Sequence, residues 1–187
     1  MNLASVRNYQ ELKSVLKEGI KGPDPCYWVF NQIGHEKWEN LTVVAPGVHG
    51  TEFNKTFGHY HPLAVNETYR LVSGRGLLLL QKKIENNEKV IENEISEFLV
   101  IKAEEGDEIV ITPEYGHSWI NLGTTPLLSL DNWKSGHSLW DYQIIQKMGG
   151  LAYYVLKDGT AYKLEKNPKY FSPPSPIFLT SKELMAK

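Results

Sequence analysis

The sequence predicts a single all-β domain, a sandwich or barrel of which the jelly roll is one closed form. Short segments of β-type pattern follow one another between residues 27 and 165, separated by turn residues at close intervals. The chain has 187 residues, 41% hydrophobic and 22% charged, which is a globular composition with enough length for one large core. No linker or low-complexity stretch divides the chain, so we expect one domain spanning residues 1–187.

The N-terminal segment predicts a short amphipathic helix. Its apolar residues recur at three- and four-residue spacing at Leu12, Val15, Leu16 and Ile20. The pattern stops near Gly22, so we assign residues 1–23 to this helix.

Eleven strands are expected in the core of the domain, residues 24–168. They are assigned to residues 27–33, 41–45, 52–61, 67–72, 76–84, 97–103, 107–112, 117–122, 127–133, 151–157 and 161–165. Turn dipeptides such as Pro46-Gly47 and Asp158-Gly159 separate them.

The C-terminal segment, residues 169–187, reads as an extended proline-rich tail. Pro173, Pro174 and Pro176 disfavour regular structure, and residues 180–185 fit a short terminal helix. We therefore expect helices only at the two ends of the chain.

The charge balance excludes one broad class of function. Twenty basic and 22 acidic residues give a formal net charge of −2, which removes the electrostatic case for a nucleic-acid or acidic-membrane partner. A single cysteine, Cys26, excludes an intrachain disulfide and fits a reducing compartment. The N-terminus lacks a signal-peptide core and apolar runs are short, so we expect a cytoplasmic protein.

Three histidines and one glutamate form the strongest chemical pattern. His59 and His61 are two residues apart, so in a strand both imidazoles point to the same face. Glu67 follows after a turn, where it can face this pair, and His117 opens a later strand. If these strands are neighbours, the set offers a first-row divalent metal four ligands and leaves coordination positions open, as in a catalytic site.

Each of these residues has an ordinary alternative explanation when it is taken alone. A His-x-His pair is often exposed, a glutamate after a turn is usually solvated, and His117 could be a core residue beside Trp119. The ordered combination at strand boundaries favours the metal site. His49 and His137 lie in loop contexts that favour structural roles.

The spacing of these residues resembles the two motifs of the cupin family. The positions that match are His59, His61, Glu67 and Gly74 in the first motif, and Gly106, Pro113, His117 and Asn121 in the second. The resemblance implies a single cupin jelly-roll β-barrel in which His59, His61, Glu67 and His117 bind one metal ion.

A narrower resemblance, from about residue 24 to residue 168, is to the cupin-type glucose-6-phosphate isomerases. The matching positions are Thr42, Pro46-Gly47, Glu52, Thr56, Gly58-His59-Tyr60-His61, Glu67-Thr68-Tyr69 and Leu79-Leu80-Gln81. Two features depart from that pattern. The stretch between His61 and Glu67 is one residue shorter than expected, and Trp133 stands where a tyrosine is usual.

This resemblance implies how a sugar phosphate is bound. Tyr27, Thr42, Thr56 and the backbone around Gly58 would hold the phosphate, while Tyr69 would lie beside the sugar. Hydroxyl and backbone N–H groups satisfy phosphate oxygens without a large basic patch. Strict alternation puts Thr56 on the face opposite His59, so either the strand bulges near Gly58 or the phosphate lies at the strand's entry.

The implied activity is the interconversion of glucose 6-phosphate and fructose 6-phosphate, a step of glycolysis and gluconeogenesis. Glu67 is the base that a proton-transfer route needs, whereas a direct hydride shift needs none. His137 and Tyr142 are candidates for ring opening. We expect a homodimer with one divalent ion per subunit, Fe(II) first and Mn, Ni or Zn as alternatives.

Two other functions use the same residues. A metal-dependent cupin oxygenase would bind dioxygen at the open metal positions. A non-catalytic sugar-binding cupin would keep the cavity without turnover. Oxygen consumption separates the first from an isomerase, and the effect of Glu67→Gln separates the second.

Overall fold

The computed structural model describes residues 1–61, 65–86, 89–135 and 138–187, and it confirms the all-β class. The described strands are β1 (Asn2–Arg7), β2 (Tyr27–Asn31), β3 (Asn40–Val44), β4 (Val48–His49), β5 (Glu52–Phe53), β6 (Glu67–Ser73), β7 (Gly76–Asn86), β8 (Lys89–Ala103), β9 (Glu108–Ile111), β10 (Tyr115–Asn121), β11 (Leu127–Asp131), β12 (Tyr153–Asp158), β13 (Ala161–Lys166) and β14 (Ile177–Thr180). The described helices are α1 (Tyr9–Leu12), a 3₁₀ turn (Lys13–Val15), α2 (Leu139–Met148) and α3 (Ser181–Met185).

The strands pair in three sheets. Their orders are β1-β2-β3-β11-β6-β9, β10-β7-β8-β14 and β13-β12-β5-β4. Side chains of the first two sheets meet in one apolar core, where the rings of Tyr69 and Trp119 touch edge to face at a centroid separation of 6.0 Å. Within the described residues these ladders stay separate, so the expected barrel is not closed by one continuous ladder.

Strand β7 lies at the centre of the second sheet. Residues 77–80 form an uninterrupted run of leucines, and all four side chains are buried. Such a run is typical of a strand that is covered on both faces, which explains why it lacks the usual alternation. Its partner β10 carries His117 opposite Leu80, so the central strand fixes the position of one predicted metal ligand.

The predicted N-terminal helix is present but much shorter than residues 1–23. Residues 2–7 form β1, which pairs with β2, and helical structure is limited to α1 and the 3₁₀ turn. Two buried side chains bind the backbone where the helix was expected to continue. Lys55 Nζ donates to the Val15 carbonyl (2.6 Å), and the Lys17 N–H donates to Glu52 Oε2 (2.7 Å). Tertiary contacts therefore replace the helical hydrogen bonds.

The predicted strand over residues 52–61 is also interrupted. Only Glu52–Phe53 belongs to a ladder, and isolated bridges follow at Lys55 and His59. Gly58 has a φ of +83°, and a Cβ there would lie 3.3 Å from the His117 carbonyl oxygen. The expected break in alternation near Gly58 is therefore present, and glycine suits it because of both its backbone conformation and the close approach.

Helix α2 contradicts the expectation that helices occur only at the chain ends. It begins after Ser138, which forms a capping box with Asp141, and ends at Gly149 in the left-handed conformation. Its hydrophobic pattern is weak because Trp140 is 76% exposed while Asp141 is buried. None of the described helices has both the length and the apolar character needed to cross a lipid bilayer.

The C-terminal segment is more ordered than an extended tail. β14 pairs in parallel with β8, which begins at Lys89 rather than at the predicted residue 97. The longer β8 offers an edge that β14 covers. The predicted terminal helix is present as α3, and Thr180 is its N-cap.

Candidate metal centre

The fold brings the four predicted ligands together. Glu67 opens β6 and His117 lies in β10. The irregular segment before residue 61 places His59 against β10, where His59 N–H donates to the His117 carbonyl (3.3 Å) and His117 N–H donates to the His59 carbonyl (3.0 Å). His61 follows two residues later. All four residues are buried.

The side chains form a compact donor set. One nitrogen or oxygen from each of the four residues lies within 4.8 Å of all the others. Glu67 Oε2 is 2.8 Å from His61 Nε2 and 3.2 Å from His117 Nε2. The other carboxylate oxygen, Glu67 Oε1, is buried and has no hydrogen-bond partner within the described structure. Three imidazoles and a carboxylate of this kind suit a first-row divalent cation, so the donor set could bind a metal ion.

The pKa shifts of the clustered side chains favour the binding of a cation. Burial raises the pKa of Glu67 to about 8 and lowers the pKa of His61 to about 4. Burial thus disfavours the charged forms of both groups in the protein alone. A bound cation would stabilise the charged form of the carboxylate and would accept the neutral imidazole as a ligand.

A cavity of about 310 Å³ opens beside the cluster. At one end His59, Tyr69 and His117 line its wall, and Tyr69 Oη lies 3.2 Å from His117 Nε2. The predicted substrate residues Tyr27, Thr42 and Thr56 line the same cavity, as does Tyr142, the candidate for ring opening, whereas Gly58 is not among the lining residues. His137 lies outside the described residues.

The two predicted threonines differ in their surroundings. Thr56 Oγ1 accepts a hydrogen bond from Trp119 N–H (3.0 Å) and lies 3.2 Å from Ser118 Oγ. Thr42 Oγ1 makes no hydrogen bond within the described structure and lies on the cavity wall. Tyr27 Oη accepts from Phe57 N–H at 3.4 Å, which ties β2 to the loop that carries Gly58.

Sequence reasoning missed two charged residues of the cavity. Arg7 is the only lysine or arginine among the described residues that line it, and its guanidinium lies 5.3 Å from the centroid of the Tyr142 ring. It was missed because residues 2–7 were assigned to a helix. Asp131 also lines the cavity, and the alternation of Leu127, Ser129 and Asp131 in β11, all on the buried face, is a signal that could have found it.

Comparisons with known proteins agree with this geometry. The family model described as glucose-6-phosphate isomerase matches residues 31–172. A glucose-6-phosphate isomerase of Thermococcus onnurineus is 33% identical over 175 residues, covering 90% of this chain and 85% of the relative. That of Pyrococcus furiosus is 27% identical over 176 residues with the same coverage of both chains.

The solved structures that resemble the fold are more distant. A structure described as a predicted oxalate decarboxylase from Thermotoga maritima is 20% identical with a TM-score of 0.34, over 56% of this chain and 76% of the other. A likeness of this size carries no conclusion about substrate or mechanism.

Proposed function

Because the chain belongs to the glucose-6-phosphate isomerase family, we propose that it interconverts glucose 6-phosphate and fructose 6-phosphate at the buried His/Glu cluster. One observation supports this most strongly. The cavity that His59 and His117 line also contains the hydroxyl groups of Thr42 and Thr56, so one space offers both a metal-ligand set and groups that bind a phosphorylated sugar. The reaction belongs to glycolysis and gluconeogenesis.

The four ligands in this proposal are His59, His61, Glu67 and His117, which would hold one divalent ion per subunit. A bound divalent cation supplies Lewis-acid polarisation of sugar oxygens. The mixture of imidazole and carboxylate is compatible with Fe(II), our first choice, and with Mn, Ni or Zn. Glu67 Oε1, which has no hydrogen-bond partner in the described part of the chain, is the natural additional ligand atom.

The phosphate end of the cavity combines neutral donors with one cation. Tyr27, Thr42 and Thr56 offer hydroxyl groups on the cavity wall, and the backbone around Gly58, which is not itself among the lining residues, is retained from the sequence resemblance as a further donor. Arg7 adds a permanent positive charge, which strengthens hydrogen bonds to phosphate oxygens. Its ion pair with Glu11 (2.9 Å) holds the side chain in place.

The isomerisation moves one hydrogen between C1 and C2 and one proton between the oxygens on these two carbons, so that the carbonyl changes place with the hydroxyl group. In the proton-transfer route, Glu67 takes the proton from one carbon and returns it to the other. In the hydride route, the hydrogen passes directly between the carbons and Glu67 only positions the site. Tyr142, on the cavity wall, and His137 remain our candidates for opening the sugar ring.

We also propose the organisation of the whole protein. The chain forms one domain over residues 1–187, with its core in residues 24–168, and acts as a cytoplasmic homodimer. A sugar phosphate is its small-molecule partner, and neither a nucleic acid nor a membrane is needed for the reaction.

A direct assay tests the proposed function. Purified protein loaded with Fe(II) without oxygen is mixed with glucose 6-phosphate, and the sugars are followed by NMR. We expect both sugars to reach the same equilibrium ratio from either side. A folded, metal-loaded protein that leaves both sugars unchanged would refute the proposal. Iron-dependent oxygen uptake with an organic acid would favour the oxygenase alternative.

A further inference from the structure

A row of polar side chains crosses the first sheet beneath the cavity. The strand register pairs Asn31 with Asn40, Asn40 with Asp131, and Asp131 with Tyr69. All four line the cavity, so they project from the same face of four neighbouring strands. At one end of the row, Tyr69 contacts His117 of the metal-ligand set (3.2 Å). The row therefore extends from the metal-ligand set along the space that a sugar would occupy.

Asp131 is the only carboxylate in this row, and its two oxygens are in different environments. Oδ1 accepts hydrogen bonds from Asn40 Nδ2 (2.6 Å) and from Trp133 N–H (3.0 Å). Oδ2 accepts none within the described structure, although the residue is only 4% exposed and lines the cavity. The structural contacts of Asp131 therefore use one oxygen and leave the other, in a residue that lines the cavity, without a donor in the described structure.

A purely structural role would not require a carboxylate at position 131. An asparagine would satisfy Asn40 and the Trp133 N–H through its own carbonyl oxygen. Asp131 is nearly fully buried and its second carboxylate oxygen has no donor within the described structure, which is unfavourable. Burial, followed by the nearby Glu67 carboxyl, raises the pKa of Asp131 to about 7. The site therefore gains most from a ligand that supplies an O–H donor.

We propose that Asp131 Oδ2 accepts a hydrogen bond from a sugar hydroxyl beyond the two reacting carbons, at C3 or C4, and so selects among sugar phosphates. This inference rests on the proposed function, because it takes the substrate to be a polyhydroxylated sugar phosphate with its reacting end at the His/Glu cluster. Asp131 is thus a substrate-binding residue in addition to the predicted set.

The variant Asp131→Asn tests this with little disturbance of the fold. Its amide oxygen can serve both structural donors, while its NH₂ group replaces the acceptor that has no donor in the described structure. Asp158→Asn is the matched control, because Asp158 is exposed at the end of β12 and is not among the residues that line the cavity. Unfolding curves establish that each variant is folded. If D131N does not fold, Asp131→Ser, which also removes the carboxylate, takes its place.

The experiment measures binding of a sugar phosphate that cannot react. Glucitol 6-phosphate and its 3-deoxy and 4-deoxy derivatives are titrated into the metal-loaded protein by calorimetry. We expect the wild type to bind one deoxy compound about 10- to 100-fold more weakly, as for a lost hydrogen bond to a charged acceptor. D131N should bind the parent compound more weakly by a similar factor and no longer distinguish it from that derivative, while D158N behaves as wild type.

Turnover gives a second readout that a structural role would not produce. We expect D131N to raise KM for glucose 6-phosphate more than it lowers kcat. A variant that binds and discriminates all three compounds as the wild type does would overturn the inference while leaving the proposed function intact. A wild type that neither binds glucitol 6-phosphate nor isomerises glucose 6-phosphate would overturn both.

Discussion

Two clusters of buried ionisable side chains lie close together along the chain. They differ in whether their charged groups find partners within the protein. In the first, Lys55 Nζ contacts Glu52 Oε1 (2.5 Å) and the Val15 carbonyl (2.6 Å), while Glu52 Oε2 accepts the Lys17 N–H (2.7 Å). Each charge has an opposite charge or a backbone partner inside the protein. This cluster is complete without any ligand.

The second cluster, the His/Glu set, is not complete in the protein alone. Its one carboxylate, Glu67, has a buried oxygen that finds no hydrogen-bond partner among the described residues, and burial raises the pKa of Glu67 to about 8. A buried ion pair with all its partners stabilises a particular arrangement of the chain. A buried carboxylate with one oxygen left without a partner is instead typical of a site that takes a ligand.

The largest effect is expected from Glu67→Gln. This variant removes the carboxylate ligand and the proposed base, so turnover should fall about 100- to 10,000-fold. The metal-free variant should unfold at the same temperature as the wild type or higher, because a neutral amide replaces a carboxylate of which one buried oxygen has no hydrogen-bond partner within the described structure. NMR turnover assays and thermal unfolding check the two parts. A variant that retains wild-type turnover would support the non-catalytic alternative.

Lys55→Met should show the opposite pattern. It leaves Glu52 as an uncompensated buried charge, so we expect a loss of about 3–5 kcal/mol in the free energy of unfolding. KM for glucose 6-phosphate should change little while the variant is folded, since Lys55 does not line the cavity. Urea unfolding measures the loss, and the double variant E52L/K55M should recover part of it. An unchanged unfolding midpoint for K55M would show that this cluster is not a structural pair.

A smaller effect separates the two threonines of the cavity. Thr42→Val removes a hydroxyl without a protein partner, so KM should rise about 10-fold with stability nearly unchanged, as for one hydrogen bond to a charged group. Thr56→Val also removes the acceptor for Trp119 N–H, so it should lower both affinity and stability. Steady-state kinetics and thermal unfolding of both variants give the comparison. Equal stability losses would contradict the different roles assigned to them.

The smallest effect is expected at Asp24, an exposed carboxylate that also anchors the N-terminal segment. Its hydrogen bond from the Tyr9 N–H (3.0 Å) lowers the pKa of Asp24 below its usual value. Because the folded-state pKa is lowered, the contribution to stability is present above the unfolded-state pKa of about 3.9 and lost as pH falls through the folded-state value. Asp24→Asn should thus lower the unfolding temperature slightly at neutral pH, with the difference vanishing in acid. A difference that persists in strong acid would rule out this origin.

Much of the candidate site could be predicted from the sequence because its signals are local. The His59-x-His61 pair, Glu67 after a turn and His117 at a strand start each depend on short-range pattern, and all four come together. The positions of most core strands along the chain were predictable for the same reason. Strands are recognised from the alternation of apolar and polar residues and from the turn residues that bound them, both of which are local features of the sequence.

The regions that were not predicted depend on partners distant in sequence. The helical pattern around Val15 is overridden by Lys55 and Glu52, some 40 residues later, and β14 forms because β8 offers it an edge. Asp131 faces the cavity because β11 lies between β3 and β6, an order that the strands themselves do not reveal.

The most direct test of the account is the metal dependence of the isomerisation. Protein stripped with a chelator is titrated with Fe(II), Mn, Ni or Zn, and the interconversion rate is measured against the equivalents bound. We predict no activity in the stripped protein and full recovery at one divalent ion per chain. Full activity in the stripped sample, or a folded protein that binds none of these ions, would contradict the claim that the four buried side chains form the working centre.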